Sequence, residues 1–113
     1  MEQCLWEGRP GFRAGLKSQT ATYRVTSKRV QIVHTGFSHK VEEIDLARFR
    51  AARVVRSLLQ RGPTGNVMIL SSDPTTSMLM FEDISEPEQV QEIICKAAHA
   101  EMERLGVHRP AEA

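Results

Sequence analysis

The stretch Tyr23–Phe37, YRVTSKRVQIVHTGF, constrains the fold more than any other part of the chain. Successive side chains of a strand point to opposite faces, and here Val30, Ile32 and His34 fall on one face while Arg29, Gln31 and Thr35 fall on the other. Only Val33 is out of pattern. Ahead of it, Tyr23 and Val25 alternate with Arg24 and Thr26. Two such segments around Ser27-Lys28 read as a β-hairpin. Ser-Lys is not the Asn-Gly or Asp-Gly pair of a tight two-residue turn, so the hairpin is inferred from its strands and not from the chemistry of its turn.

The rest of the chain adds short apolar segments around that hairpin. Near the start, Gln3 to Glu7 reads as a short strand, and Gly8, Pro10 and Gly11 then turn it into a loop that contains Phe12 and Leu16. Trp6, the one tryptophan, is expected to plug the edge of the core. After a break at Gly36-Phe37, Lys40 to Leu46 alternates Val41, Ile44 and Leu46 with acids, as a half-exposed strand does. Phe49 to Leu59 is ambiguous, because Ala51, Ala52 and the arginines are good helix formers while the apolar positions also suit a strand. Gly62-Pro63-Thr64-Gly65 is a turn by composition. The runs Val67–Leu70 and Met78–Phe81, on either side of a second turn at Ser71–Pro74, are too short for helices and fit strands covered on both faces.

The C-terminal part carries the clearest helix. Val90, Ile93, Ile94, Ala97, Ala98, Met102 and Leu105 form a stripe at helical spacing, which predicts a helix over Glu86 to Leu105 with Gly106 ending it. Ser85 and Glu88 have the spacing of a capping box, and Pro87 is tolerated in a first turn that needs no donor. Glu86 and Glu88 at its start and Arg104 at its end complement the helix dipole. Residues 107–113 read as a frayed tail. Several strands followed by one amphipathic helix imply a mainly β (α+β) chain: a small barrel or sandwich of six to seven antiparallel strands, capped by the helix.

Length and composition bound the function classes. A chain of 113 residues fits one domain, here 1–106, with one core. No apolar run approaches the roughly 18 residues a spanning helix needs, and the start MEQCLWEGRP has no signal-peptide pattern, so a cytoplasmic chain is expected. Cys4 and Cys95 have neither ligand spacing nor a framework pattern and are expected as free thiols. The net charge of +1 hides a split, with +7 over residues 1–71 and −6 over residues 72–113. That suggests a basic sheet face and an acidic helix.

No constellation for catalysis emerges. Gly11–Ser18 only superficially resembles a phosphate-binding loop, since Leu16 intervenes and the glycine spacing is wrong. His34, His39, His99 and His108 lack ligand spacing, so neither a metal nor another cofactor is expected. Glu42, Glu43 and Asp45 alternate faces and read as exposed charges. The strongest binding signal is basic: Lys28 and Arg29 in the hairpin, then Arg48, Arg50, Arg53, Arg56 and Arg61. Guanidinium groups grip phosphate bidentately, so a basic rim of this kind suits an anionic ligand or partner. Stacking aromatics are missing apart from Phe49, and nucleic acid is not expected.

With these residues in hand, the chain resembles bacterial pleckstrin-homology-like domains of the small membrane-associated type. Trp6–Pro10 is similar to the family's opening, Tyr23–Val30 to its central hairpin and Gly36-Phe37 to the turn after it. Glu43–Leu46, Ser57–Arg61 and Gly65–Val67 resemble the later strands, so the likeness covers most of residues 5–94. It implies a bent seven-stranded barrel closed by a C-terminal helix, and it favours a strand over Phe49–Leu59. Many relatives insert membrane helices before the tyrosine strand, whereas here about a dozen polar residues fill that gap. For function the resemblance implies a non-catalytic binding or assembly module that takes a protein partner or self-associates, with the apolar runs Val67–Leu70 and Met78–Phe81 joining subunits edge to edge. The alternative expectation is peripheral binding to an anionic membrane surface through Lys28, Arg29, Arg48, Arg50, Arg53 and Arg56.

Overall fold

The computed structural model describes residues 1–11, 20–36, 39–58, 60 and 62–106. The expectations for Phe12, Leu16, Phe37, Leu59, Arg61, His108, the Gly11–Ser18 loop pattern beyond Gly11 and the 107–113 tail lie outside the described residues. Seven strands and one helix succeed one another: β1 Cys4–Gly8, β2 Ala21–Thr26, β3 Arg29–Thr35, β4 His39–Asp45, a 3-10 turn Leu46–Arg48, β5 Phe49–Val55, β6 Gly65–Ser71, β7 Met78–Ile84 and α1 Pro87–Leu105. The strands form two antiparallel sheets, β1-β2-β3-β4 and β5-β6-β7.

The hairpin forms in the register the alternation implies, with Val25 opposite Val30 and Tyr23 opposite Ile32, all four buried. Its turn is made by a side chain. Thr26 Oγ1 accepts from the backbone N–H of Lys28 at 3.2 Å and of Arg29 at 3.0 Å, and donates to Glu2 Oε2 at 2.6 Å. A threonine hydroxyl thus does what Asn-Gly would do by backbone geometry.

Between the sheets lie Tyr23, Val25, Val30, Ile32, Ile44 and Leu46 from the first, and Val67, Ile69, Leu79, Phe81 and Ile84 from the second. Tyr23 and Phe81 stack across the interface with ring centroids 4.5 Å apart. Trp6 stacks on the other side of Phe81 at 5.6 Å, half-buried as an edge plug should be. The helix lays Val90, Ile94, Ala97 and Ala98 on this core. It packs along β5 and the 3-10 turn, and Gln91 Nε2 donates to the Ala52 carbonyl oxygen at 2.7 Å. The free edge of β5 is therefore occupied by α1.

Three expectations are corrected. Within the chain, Val67–Leu70 and Met78–Phe81 are not covered on both faces by the C-terminal helix: Val67, Ile69, Leu79 and Phe81 point into the core, while Met68, Leu70, Met78 and Met80 point outward, half-buried or exposed. An unbroken apolar run conceals a period of two when both faces carry apolar residues. Val67–Leu70 also cannot join subunits edge to edge, because β6 is the central strand of its sheet with both edges paired. Finally, the Ser85/Glu88 capping box does not form. Glu86 occupies the N-cap position in the left-handed conformation (φ 54°), without a side-chain cap, and Glu88 is bound elsewhere.

Candidate functional site

The six basic residues singled out in the sequence differ in their partners, and Lys28 lies beside the 3-10 turn that carries Arg48, its carbonyl accepting the Leu46 N–H at 2.9 Å. Arg29 is held by acids: its Nη1 donates to Glu43 Oε2 at 3.2 Å, and its Nε lies 3.1 Å from Glu2 Oε2 as an ion pair without hydrogen-bond alignment. Arg56 is bound to the helix, donating through Nη1 to Glu88 Oε2 at 2.6 Å and through Nη2 to Oε1 at 2.9 Å. That bond holds the Glu88 carboxyl below the ordinary carboxylate range. Lys28 lines a cavity of about 220 Å³ beside α1, shared with Glu101 and Arg104. There Arg104 grips Glu101 bidentately at 2.7 and 3.0 Å and lowers its carboxyl too.

The other three arginines follow one another along the chain, Arg48 at the end of the 3-10 turn and Arg50 and Arg53 in β5. Arg48, Arg50 and Arg53 are exposed, and Arg48 and Arg53 make no ion pair among the described residues. A register shift between Phe49 and Ala51 sets the facing of the later residues of the strand, so that Ala52 turns inward and Arg53 outward. Arg56 lies just past the end of β5, about 10 Å beyond Arg53 at the rise of an extended chain.

Arg53 opens onto an apolar face that the sequence implied would be covered, by the C-terminal helix or by a second subunit. Cross-strand partners share a face, and the register sets Arg53 beside Met68 and Met68 beside Met80, then Ala51 beside Leu70 and Leu70 beside Met78. With Val55, 40% exposed, and Met78, 49% exposed, these side chains make a methionine-rich strip on the outer face of β5-β6-β7. Within it Arg53, Val55 and Met78 are exposed and Ala51, Met68, Leu70 and Met80 half-buried. The alternation within VMIL and MLMF is the signal that could have found it, once the register was known.

The second concave feature is a groove of about 300 Å³ where β7 crosses the mouth of the first sheet. Ala21, Tyr23 and Ile32 form one wall, and Met78, Leu79 and Met80 the other. At its rim His34 Nε2 sits 3.2 Å from Glu42 Oε2, and Lys40 Nζ lies 3.5 Å from Glu42 Oε1. Glu42 is opposite Ile32 and therefore belongs to the inward-facing set at the barrel mouth, a correction to its reading as an exposed-face charge. Deep in the groove the Tyr23 hydroxyl accepts the Glu82 N–H at 3.0 Å, and burial raises the phenol's pKa above its ordinary value. Cys4 and Cys95 are both free and exposed.

Among solved structures, the chain is similar to a protein described as the Vps36 N-terminal PH domain, with a TM-score of 0.64 and 13% identity over 90% of this chain and 83% of that one. No family model and no curated protein sequence matches the chain. The structural likeness establishes a pleckstrin-homology-like fold, mainly β with a capping helix. It bears on the fold and not on the bacterial membrane-associated type.

Proposed function

We propose that this chain is a non-catalytic pleckstrin-homology-like binding and assembly module, and that its contact surface is the outer face of β5-β6-β7. The observation that supports this most is the strip Met68, Leu70, Met78 and Met80, which faces away from the core, Met78 exposed and the other three half-buried, while α1 packs along the edge of β5. Soluble proteins keep large contiguous apolar patches for partners, and methionine adapts its shape to the surface it meets. A second copy of this chain is the partner that can be tested without any other molecule. Half a dozen side chains fall well short of the roughly 20–30 residues per side of a standard interface, so the association is weak. Sedimentation velocity should show the average mass rising with concentration, and Met68→Glu should abolish the rise. A single monomeric species up to millimolar concentration would rule out self-association.

A second reading has its own support. Arg48 and Arg53, exposed and without ion pairs among the described residues, suit an anionic membrane surface, worth about 1 kcal/mol per basic residue near it. Co-sedimentation with phosphatidylserine vesicles, absent with neutral vesicles and lost as salt rises, is the expected pattern. Equal retention on both vesicle types removes this reading. Within it the site contracts from six residues to Arg48 and Arg53, because Arg29 and Arg56 already hold carboxylates, Arg50 is engaged elsewhere and Lys28 lies in the cavity with Glu101 beside α1.

A further inference from the structure

A sheet of three strands has two edges, and here they differ. The edge of β5 is taken by α1, through the Gln91 bond to Ala52 and the packing of the helix along the strand. The edge of β7 faces the groove at the barrel mouth.

The hydrogen-bond pattern shows which groups lie on that edge. Ser71 N–H donates to the Ser77 carbonyl at 2.9 Å, and the register continues from there as Ile69 opposite Leu79 and Val67 opposite Phe81. In an antiparallel ladder the bonded pairs recur every second residue, so Leu79 and Phe81 direct their N–H and C=O groups to β6. Met78, Met80 and Glu82 direct theirs the other way. Glu82 confirms it, since its N–H is the group bonded to the Tyr23 hydroxyl. Beyond it, the Asp83 carbonyl accepts the Gly11 N–H at 2.8 Å. The C-terminal end of the edge is therefore closed by the protein itself. At Met78 and Met80 no such bond is made among the described residues.

We infer that this edge is a docking site for an extended segment of a partner protein, which adds to β7 as a fourth strand. Donor and acceptor groups that recur along one line at a two-residue repeat are complementary to another extended backbone. The added strand's side chains would alternate between two apolar environments. One set shares the face of Leu79 and enters the groove against Ala21 and Ile32, and the other joins Met78 and Met80 on the outer strip. Charge favours a basic flank, because Glu42 and Glu82 border the groove against Lys40. At about 300 Å³ the groove is at the small end of ligand sites and is walled by β2, β3 and Glu42 of β4, dimensions that suit a single extended strand.

This inference rests on the binding-module reading but not on self-association, and the two fail separately. The test is amide hydrogen exchange on the full chain by NMR, with a seven-residue peptide of alternating valine and threonine flanked by lysines as probe. A twin peptide, N-methylated on the alternate residues, lacks the donors but keeps the apolar side chains. In the free chain the Met78 and Met80 amides should exchange at least about tenfold faster than those of Leu79 and Phe81. The probe should slow both, saturably, and the N-methylated twin should not. Four results would overturn the inference: Met78 and Met80 already protected in dilute free chain, protection that grows with the chain's own concentration, equal slowing by the twin, or no slowing by the probe at its solubility limit. A monomeric chain in the centrifuge with the exchange contrast intact would sink only self-association.

Discussion

Tyr23 ties the two sheets together through one oxygen. Its ring stacks on Phe81 and its hydroxyl accepts the Glu82 N–H, so Tyr23→Phe keeps the packing and strands a buried donor. The expected loss is about 1–3 kcal/mol in urea denaturation. The phenol also sets an alkaline limit. Burial raises its pKa in the fold above the ordinary 10.0, so its contribution is complete below pH 10 and fades as pH rises through the folded value. Wild-type stability should fall as pH rises past 10 toward the folded pKa, and in Tyr23→Phe that part of the fall should vanish. Gly8 matters for a neighbouring ring, because a Cβ there would stand 2.6 Å from Trp6 Cζ2. Gly8→Ala should push the indole off Phe81 and shift the emission of the single tryptophan to the red.

At the scale of elements, the N-terminus of α1 separates two rules that coincide in the sequence. Ser85 and Glu88 have capping-box spacing, yet Glu86 is the cap and sits at φ 54°, where a residue with a Cβ loses about 1–2 kcal/mol. Ser85→Ala should therefore leave stability within about 0.5 kcal/mol, while Glu86→Gly should raise it by about 1 kcal/mol. Both are read from denaturant midpoints. Glu88 is spent on Arg56, whose hydrogen bond lowers the Glu88 pKa from the ordinary 4.5. A carboxyl lowered in this way adds stability above the ordinary value and loses it as pH falls through the folded one. Arg56→Gln should move the Glu88 titration, followed by NMR, back toward 4.5. Local pattern was enough to read the hairpin and the helix, because alternation in Tyr23–Thr35 and the stripe from Val90 to Leu105 repeat over many residues, whereas β5, with its helix-forming alanines and arginines, was decided only by the family resemblance. It could not show that Thr26 makes the hairpin turn or that Glu88 prefers Arg56, since each depends on a partner brought close only by folding.

At the scale of the molecule, the same division explains the site. The arginines were legible as a run, but their fates were decided by tertiary neighbours: Glu2 and Glu43 at Arg29, Glu88 at Arg56, and a strand irregularity that leaves Arg53 outward. The apolar runs were legible as strands, and only the register divides Val67 and Ile69 from Met68 and Leu70. The outer strip is the central claim, and methionine oxidation footprinting tests it at the residues concerned. Dilute peroxide should oxidise Met68, Met78 and Met80 in dilute protein. At high concentration all three should be protected together in wild type, while in Met68→Glu the remaining pair stays as reactive as in dilute solution. Oxidation of the three methionines at rates independent of protein concentration would contradict assembly through this face.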